Sequence, residues 1–499
     1  MNERLTEAAR LYAARDFPAA EAVCRTIIRD DPADFDALHL LGVLLSRQDR
    51  HDEAVTWLRL AKEQRPNDAL LWVNLGNALL ATKRYQDVID LTSTGGAGAL
   101  NNLGLAHRGL AQHEAAETAF RRATEARWDH AGAWFNLAAT LTKLGRLEES
   151  LDASRTAQRV APLDTPLHRL ADVTNEIGRT LMALGRPEEA LAECRRFLKR
   201  HPDQHTVTWN MSLCLLLLGQ FEEGWRAYER RFDVPEHDRR PNGAVVLDLA
   251  RVAGKRVLIL TEQGRGDMLQ FIRYAPLLTA MGATICVQAY PDLVRLLAAT
   301  PGVGSVISTD DALPEADFVT SIMSLPLAFG LHPAKTPYLT VPADCARIAL
   351  GPRIRPRIGV AWSGSTHSYD RSAMPAEALA PLLALDELEF HCLQPDITGR
   401  DQAWLDTAKP PIRRHALSDF ADTAALIEQM DVVVSIDTAV GHLAGALAKP
   451  VRVMLPFNPD WRWLLRRTDS PWYPTARLFR QPVRGAWTDV VQAVLDAGF

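Results

Sequence analysis

Small residues return every 34 positions through the first half of this chain. Ala8, Gly42 and Gly76 stand 34 apart in succession, Ala20 and Ala54 repeat the interval, and so do Pro32 and Pro66. Gly104 with Ala138, and Gly178 with Ser212, keep the same spacing further on. A fixed period of this kind means that one helix-turn-helix unit is copied, and the copies must stack because none can bury its apolar face alone. The small residue lets two antiparallel helices approach closely, and the proline stops the second helix. Six units are read in this way, and a seventh, at about 69–96, is degraded. Two steps depart from the period: Gly76 to Gly104 is 28 residues, with the deficit at 92–98, and Ala138 to Gly178 is 40, with the excess near 162–166. Each is expected to change the superhelical path locally without breaking the stack, since contacts run only between neighbours.

A 34-residue unit with this pattern is the tetratricopeptide repeat. One of its positions is a candidate for function. Asn74, Asn102, Asn136 and Asn210 each stand two residues before the small residue, on the first helix, which lines the concave groove. An amide offers a donor and an acceptor together, so a row of them can pair with the backbone of an extended protein acceptor whatever its sequence. The same asparagines also serve the repeat as ordinary consensus residues. Leu40 and Glu176 hold the equivalent place in two other repeats, which interrupts the row.

With 499 residues the chain has room for about three domains. A hydrophobic fraction of 47% and a charged fraction of 23% are those of a soluble globular protein. The net charge of -5 lacks the basic footprint of general nucleic-acid binding. The segment Met1–Glu7 leads into an amphipathic helix without an apolar signal core, and no apolar run is long enough to span a membrane. The six cysteines are scattered without close pairs, which argues against a zinc site and fits reduced thiols. A cytoplasmic protein is expected.

After Phe232 the periodicity changes, and the polar segment 235–242 reads as a connection. Short β-branched runs then alternate with helical patterns: 257–260, a helix from about Asp267, 285–288, and a helix near 292–299. A proline- and alanine-rich loop, 342–356, precedes a fresh start at 358–362, followed by 390–394, 432–436 and 451–455. Such alternation predicts open parallel sheets. The expected organisation is a repeat domain over 1–238 and two Rossmann-like α/β domains over 250–350 and 351–499, with a ligand cleft between the α/β pair.

Three segments carry candidate chemistry. In the first, Gly264-Arg265-Gly266-Asp267 follows the first strand, and Asp267 is either a helix cap or a carboxylate at the sheet's carboxyl edge, placed as a general base. In the second, the loop 363–372 is rich in hydroxyls and carries Arg371, which can grip phosphate with two parallel hydrogen bonds. In the third, Ser435-Ile436-Asp437-Thr438-Ala439-Val440-Gly441-His442 passes from a buried strand straight into an alanine-rich helix. Its free N–H groups and positive dipole end are either a seat for phosphate, with His442 one turn in, or simply a helix start with an N-cap and a packed histidine. The aromatic stretches 457–463 and 470–474 either stack on a ligand or anchor their loops to the core.

From about 254 to 481 these residues resemble the GT-B glycosyltransferases, and within them the heptosyltransferase-like group. The resemblance rests on the Gly266-Asp267 turn, on Asp437–His442 with its helix, and on the ending from Pro456-Phe457 through Asp460-Trp461-Arg462-Trp463 to Phe479-Arg480-Gln481. It implies a catalytic base at Asp267. It implies nucleotide-sugar contacts at Asp437, Thr438, Ala439 and His442, a set that also takes in Gly266, Arg371 and Gln394. The family's phosphate-binding lysine is missing from the loop 365–372, which leaves Arg371 as substitute and puts an ADP-heptose donor in doubt. Repeats ahead of such a domain are similar to the protein O-GlcNAc transferases and to bacterial flagellin glycosyltransferases. The expected function is therefore sugar transfer from a nucleotide sugar to a protein acceptor, flagellin among the candidates, held by the repeats. No cofactor is expected. Metal independence is expected too, because no Asp-x-Asp lies at a strand end in the second half. The alternatives are an interaction scaffold with a silent GT-B domain, and a lipopolysaccharide sugar transferase.

Overall fold

A Cβ atom built on Gly104 would lie 2.5 Å from the Phe120 ring, so the small residue of that repeat is what lets its two helices touch. The structure, a computed structural model, describes residues 3–91, 96–234, 247–330, 336–345, 348–364, 374–394, 397, 399–407 and 412–499. The chain forms two compact units, Met1–Leu184 and Gly185–Phe499.

The first unit is a tetratricopeptide solenoid. Helices Glu3–Ala13 and Phe17–Asp30, Phe35–Arg47 and His51–Gln64, Ala69–Ala81 and Tyr85–Leu91, Ala97–Gly109 and His113–Ala126, and Ala131–Lys143 and Leu147–Val160 pack in pairs, followed by Leu167–Ala183. Asp16, Asp34 and Asp68 accept backbone N–H bonds at the starts of three of them. Arginines clip neighbouring repeats together: Arg50 pairs with Glu21 and Glu53, and Arg146 with Glu117 and Glu149.

Both irregularities in the period are accounted for. In the degraded repeat the second helix has only 7 residues, and Ala69–Ala81 packs directly on Ala97–Gly109. In the long step the connection runs over 161–166, and helix Leu167–Ala183 has 17 residues against 13 in Ala131–Lys143. The stack continues through both.

The second unit opens with helices Pro187–Leu198, His205–Leu217 and Phe221–Tyr228 and a single turn, Glu229–Asp233. Two parallel sheets follow. The first contains β1 (Arg256–Leu260), β2 (Thr284–Ala289), β3 (Ser305–Ser308) and β4 (Phe318–Ser321), in the order β3-β2-β1-β4. The second contains β5 (Arg357–Ala361), β6 (Glu389–Cys392), β7 (Val432–Ile436), β8 (Val451–Leu455) and β9 (Ala476–Arg480), in the order β6-β5-β7-β8-β9. This is the predicted Rossmann-like pair. In each sheet the strand order reverses once, between β1 and β4 and between β5 and β7. Ligands of open α/β sheets bind in the crevice at the carboxyl ends of such strands.

The boundary between compact units, at 184/185, falls inside the stretch of repeats expected over 1–238, so the last repeat helices belong to the same unit as the sheets. The last repeat helix is apolar on a face that the sheets cover: Trp225 and Tyr228 are fully buried, and Arg231 beside them is buried too.

Candidate functional site

Asp267 lies in the turn after β1. The helix Arg265–Phe271 begins before it, so Asp267 occupies the third helical position and not the cap position that one of its two sequence readings gives. Its Oδ2 accepts the Gly264 N–H at 2.7 Å, reaching back to the start of its own helix. Its Oδ1 accepts from the Arg462 guanidinium. Burial pushes the Asp267 carboxyl above the ordinary aspartate range, against the pull of Arg462 and the Gly264 N–H. The side chain remains 13% exposed, against 7% for Arg462. Arg462 also donates to Gln270 Oε1 at 2.9 Å and to Asp460 at 2.7 Å. Burial works against its charge, but Asp267 and Asp460 raise its pKa above the ordinary arginine value.

The second half of the site lies at the carboxyl end of β7. Thr438 caps the helix Ala439–Ala446 with extended backbone and gives it no side-chain hydrogen bond. Its hydroxyl instead meets Ser435 Oγ at 3.0 Å. The first N–H groups of a helix have no acceptor within it, so residues 439–441 present donors there. Asp437 sits just ahead of them, with Oδ1 3.6 Å from His442 Nε2. Burial would raise the Asp437 carboxyl, but His442 first and then Trp463 hold it below the ordinary aspartate value.

His442 is only 4% exposed. Its Nδ1 is 2.9 Å from the Tyr473 hydroxyl, and its ring stacks on Trp463 at 5.3 Å. With Nδ1 on Tyr473 and Nε2 nearest Asp437, the imidazole is packed in the core beside the turn, the plainer of the two readings its sequence allows.

The two halves meet at Gly266. A Cβ there would fall 2.9 Å from His442 Cδ2 and 3.7 Å from Ala439 Cα. Gly266 is thus needed for the helices Arg265–Phe271 and Ala439–Ala446 to touch. The contact brings the Asp267 turn and the Asp437–Thr438 turn to a common place.

The crevice between β1 and β4 is filled from within the unit. Arg231 makes a forked pair with Glu262 at the end of β1, 2.7 and 2.9 Å, and donates to Ser324. Ser321, at the end of β4, also bonds Glu262. Gln263 donates its amide to the Tyr228 hydroxyl. The crevice at β5 and β7 keeps the free helix-start donors of residues 439–441.

The other predicted residues fare differently. Gln394 is buried at the end of β6, where its Oε1 accepts from the Trp362 and Ser363 N–H groups and its Nε2 donates to Ser363 Oγ. It shapes the turn after β5. Arg371 and the loop 365–373 lie outside the described residues.

In the repeats, Asn102 is 3% exposed and donates to Val73 O and Asn77 Oδ1, so it cannot meet a peptide. Asn74 pairs with His39 and Asn136 with Asn101, each across neighbouring repeats. Asn210, in the second unit, is half-buried. The amide row mainly ties first helices to each other. The aromatic stretches prove to be anchors, since Trp461, Trp463, Trp472 and Tyr473 are all buried. The sequence reading missed Arg462, Asp460 and Tyr473 as site residues, although it had marked both stretches that carry them.

Among the described residues, no group of three or more His, Cys, Asp or Glu side chains could hold a metal ion, and no helix is long and apolar enough to cross a membrane.

Comparison with known proteins agrees with the repeats. The tetratricopeptide-repeat family model matches residues 5–69, 101–164 and 175–241, passing over most of the degraded repeat. Protein FlbA of Caulobacter vibrioides is 26% identical over 445 residues, 80% of this chain and 72% of FlbA, a length that must extend beyond the repeats into the α/β region. The tetratricopeptide repeat-containing protein trd-1 of Caenorhabditis elegans is 26% identical over 183 residues, 37% of this chain and 23% of trd-1. Among solved structures, that of Pseudomonas aeruginosa pilF covers 41% of this chain and 94% of its own, at 15% identity and a TM-score of 0.35.

Proposed function

We propose that the second unit is a glycosyltransferase that moves a sugar from a nucleotide-sugar donor to a hydroxyl of a protein held by the tetratricopeptide repeats. The observation that carries this reading is the meeting, through Gly266 and His442, of a buried carboxylate with the open start of the helix Ala439–Ala446. Transfer to a hydroxyl needs both. The donor diphosphate would lie against the N–H groups of residues 439–441, where the helix dipole favours the charge that grows as it leaves. The acceptor oxygen would form its bond to the anomeric carbon while the carbon–phosphate oxygen bond breaks and its electron pair leaves with the diphosphate. The acceptor proton would pass to Asp267, whose raised pKa suits a base better than that of a solvated aspartate. Tetratricopeptide repeats point to a protein partner, and flagellin is one acceptor to test.

A second reading, a scaffold with a silent α/β unit, draws on one observation. Both Asp267 oxygens already have partners, Arg462 and the Gly264 N–H.

Thermal unfolding with a panel of nucleoside diphosphates and nucleotide sugars separates the two. A ligand present at about 100 times its Kd stabilises by about 2.7 kcal/mol, a readily measured rise. The transferase reading expects one nucleotide family to raise the Tm and its sugar conjugate to be slowly hydrolysed without acceptor. If no nucleotide stabilises the protein at millimolar concentration and no donor is consumed, the scaffold reading stands instead.

A further inference from the structure

We infer that Trp225, on the last tetratricopeptide helix, is a positioning residue for the Asp267–Arg462 pair, so that this helix is a working part of the α/β site. The inference rests on Asp267 being the proton acceptor proposed above.

Trp225 is 2% exposed and touches both segments that carry the pair. Its ring meets Trp461, the residue before Arg462, edge to face at 5.1 Å and 90°. It meets Phe271 in the same way at 5.9 Å and 89°. Phe271 ends the helix Arg265–Phe271, one turn beyond Asp267. The Arg462 guanidinium carbon lies 4.2 Å from the centre of the Trp461 ring and 5.8 Å from that of Phe271. One indole therefore wedges the two rings that the guanidinium rests on, and fixes the direction from which Arg462 reaches Asp267. The Trp225 Nε1 is buried with no hydrogen-bond partner among the described residues, so the site uses its ring and not its N–H. A phenylalanine should therefore serve, and an aliphatic side chain should not.

The consequence falls on the ionisation of Asp267. Facing it are Arg462 and Asp460 from the turn 460–463, His442 from the helix Ala439–Ala446, Tyr228 from the repeat helix, and the Gly264 N–H of its own turn. Burial pushes its pKa up and Arg462 is the main opposing influence. If Arg462 is held less firmly, the upward push of burial gains.

The test is carboxyl carbon NMR on the full chain labelled at aspartate, with Asp267 assigned by its loss in Asp267→Asn. In Trp225→Leu the Asp267 titration midpoint is expected to rise by about one pH unit, within the range an adjacent opposite charge controls. In Trp225→Phe it should return close to the wild-type value. If Trp225→Leu does not fold, Trp225→Met is read in the same way. An unchanged midpoint in a folded Leu or Met variant overturns the inference, as does an equal shift with Phe. Loss of the native fold in all three overturns it too, since Trp225 would then be core and nothing more. The readout needs no turnover, so it stays decisive if no donor is ever found, while donor hydrolysis by the wild-type protein judges the transferase reading separately.

Discussion

Asp267→Asn tests the chemistry most sharply, and the structure says what else it must do. The amide oxygen can still accept the Gly264 N–H that the carboxylate takes at 2.7 Å, so the helix start is kept. The amide nitrogen, in contrast, faces Arg462 donor to donor. Removing one partner of a buried ion pair costs about 3–5 kcal/mol when the other is left alone. Arg462 is not left alone, since Asp460 and Gln270 remain at 2.7 and 2.9 Å. The expected loss is therefore about 1–3 kcal/mol, a fall of several degrees in Tm. Turnover should fall further than that loss explains, by roughly 10²–10⁴-fold, if the carboxylate takes the acceptor proton. Pairing Asp267→Asn with Arg462→Gln separates the two effects. The double variant removes the donor clash and should recover stability but not rate. Calorimetric unfolding and donor consumption, measured on the same samples, give both quantities. Near wild-type turnover by a stably folded Asp267→Asn protein, or recovery of turnover in the double variant, would refute the reasoning. Glu262 would be a poor replacement base, since Arg231 and Ser321 already hold it.

Three further outcomes are expected. Gly266→Ala places a methyl group 2.9 Å from His442 Cδ2, and should cost about 1–3 kcal/mol by forcing the two site helices apart, read by chemical denaturation. A chain of residues 185–499 should unfold cooperatively. One of residues 247–499 should bind apolar dyes and show red-shifted tryptophan emission, because losing Trp225 and Tyr228 uncovers their partners at roughly 1.5–3 kcal/mol per side chain. Burial lowers His391 from 6.5 to about 4, between Glu389 and His415. The native state then binds fewer protons than the unfolded chain over that window. Stability should fall as pH drops from 6.5 toward 4, by on the order of 3 kcal/mol at most, and His391→Gln should flatten the dependence.

The sequence alone determined the architecture. A 34-residue period and the small residues that mark it can be satisfied only by stacked helix pairs, and the alternation after Lys255 only by parallel sheets, because both patterns are local and repeat many times. It also located the Asp267 and Asp437–His442 turns, since a strand running directly into a helix leaves its mark within a dozen residues. The strands β3, β4 and β9 were missed because serine, threonine or arginine breaks their apolar runs, unlike those of the similarly short β1 and β7. What tertiary structure alone decided is which side chains those turns can spend. Arg462 comes to Asp267 from nearly 200 residues away, Tyr473 takes one nitrogen of His442, Gln394 closes on its own turn, and Asn102 is sealed between repeats. The grouping of the last repeat helices, too, was decided by burial: Trp225 and Tyr228 stand in repeat sequence but are committed to the aromatic core beside the sheets. Hydrogen-bond capacity and apolar surface are local properties of a residue, whereas the partner that uses them up is fixed only once the chain has packed.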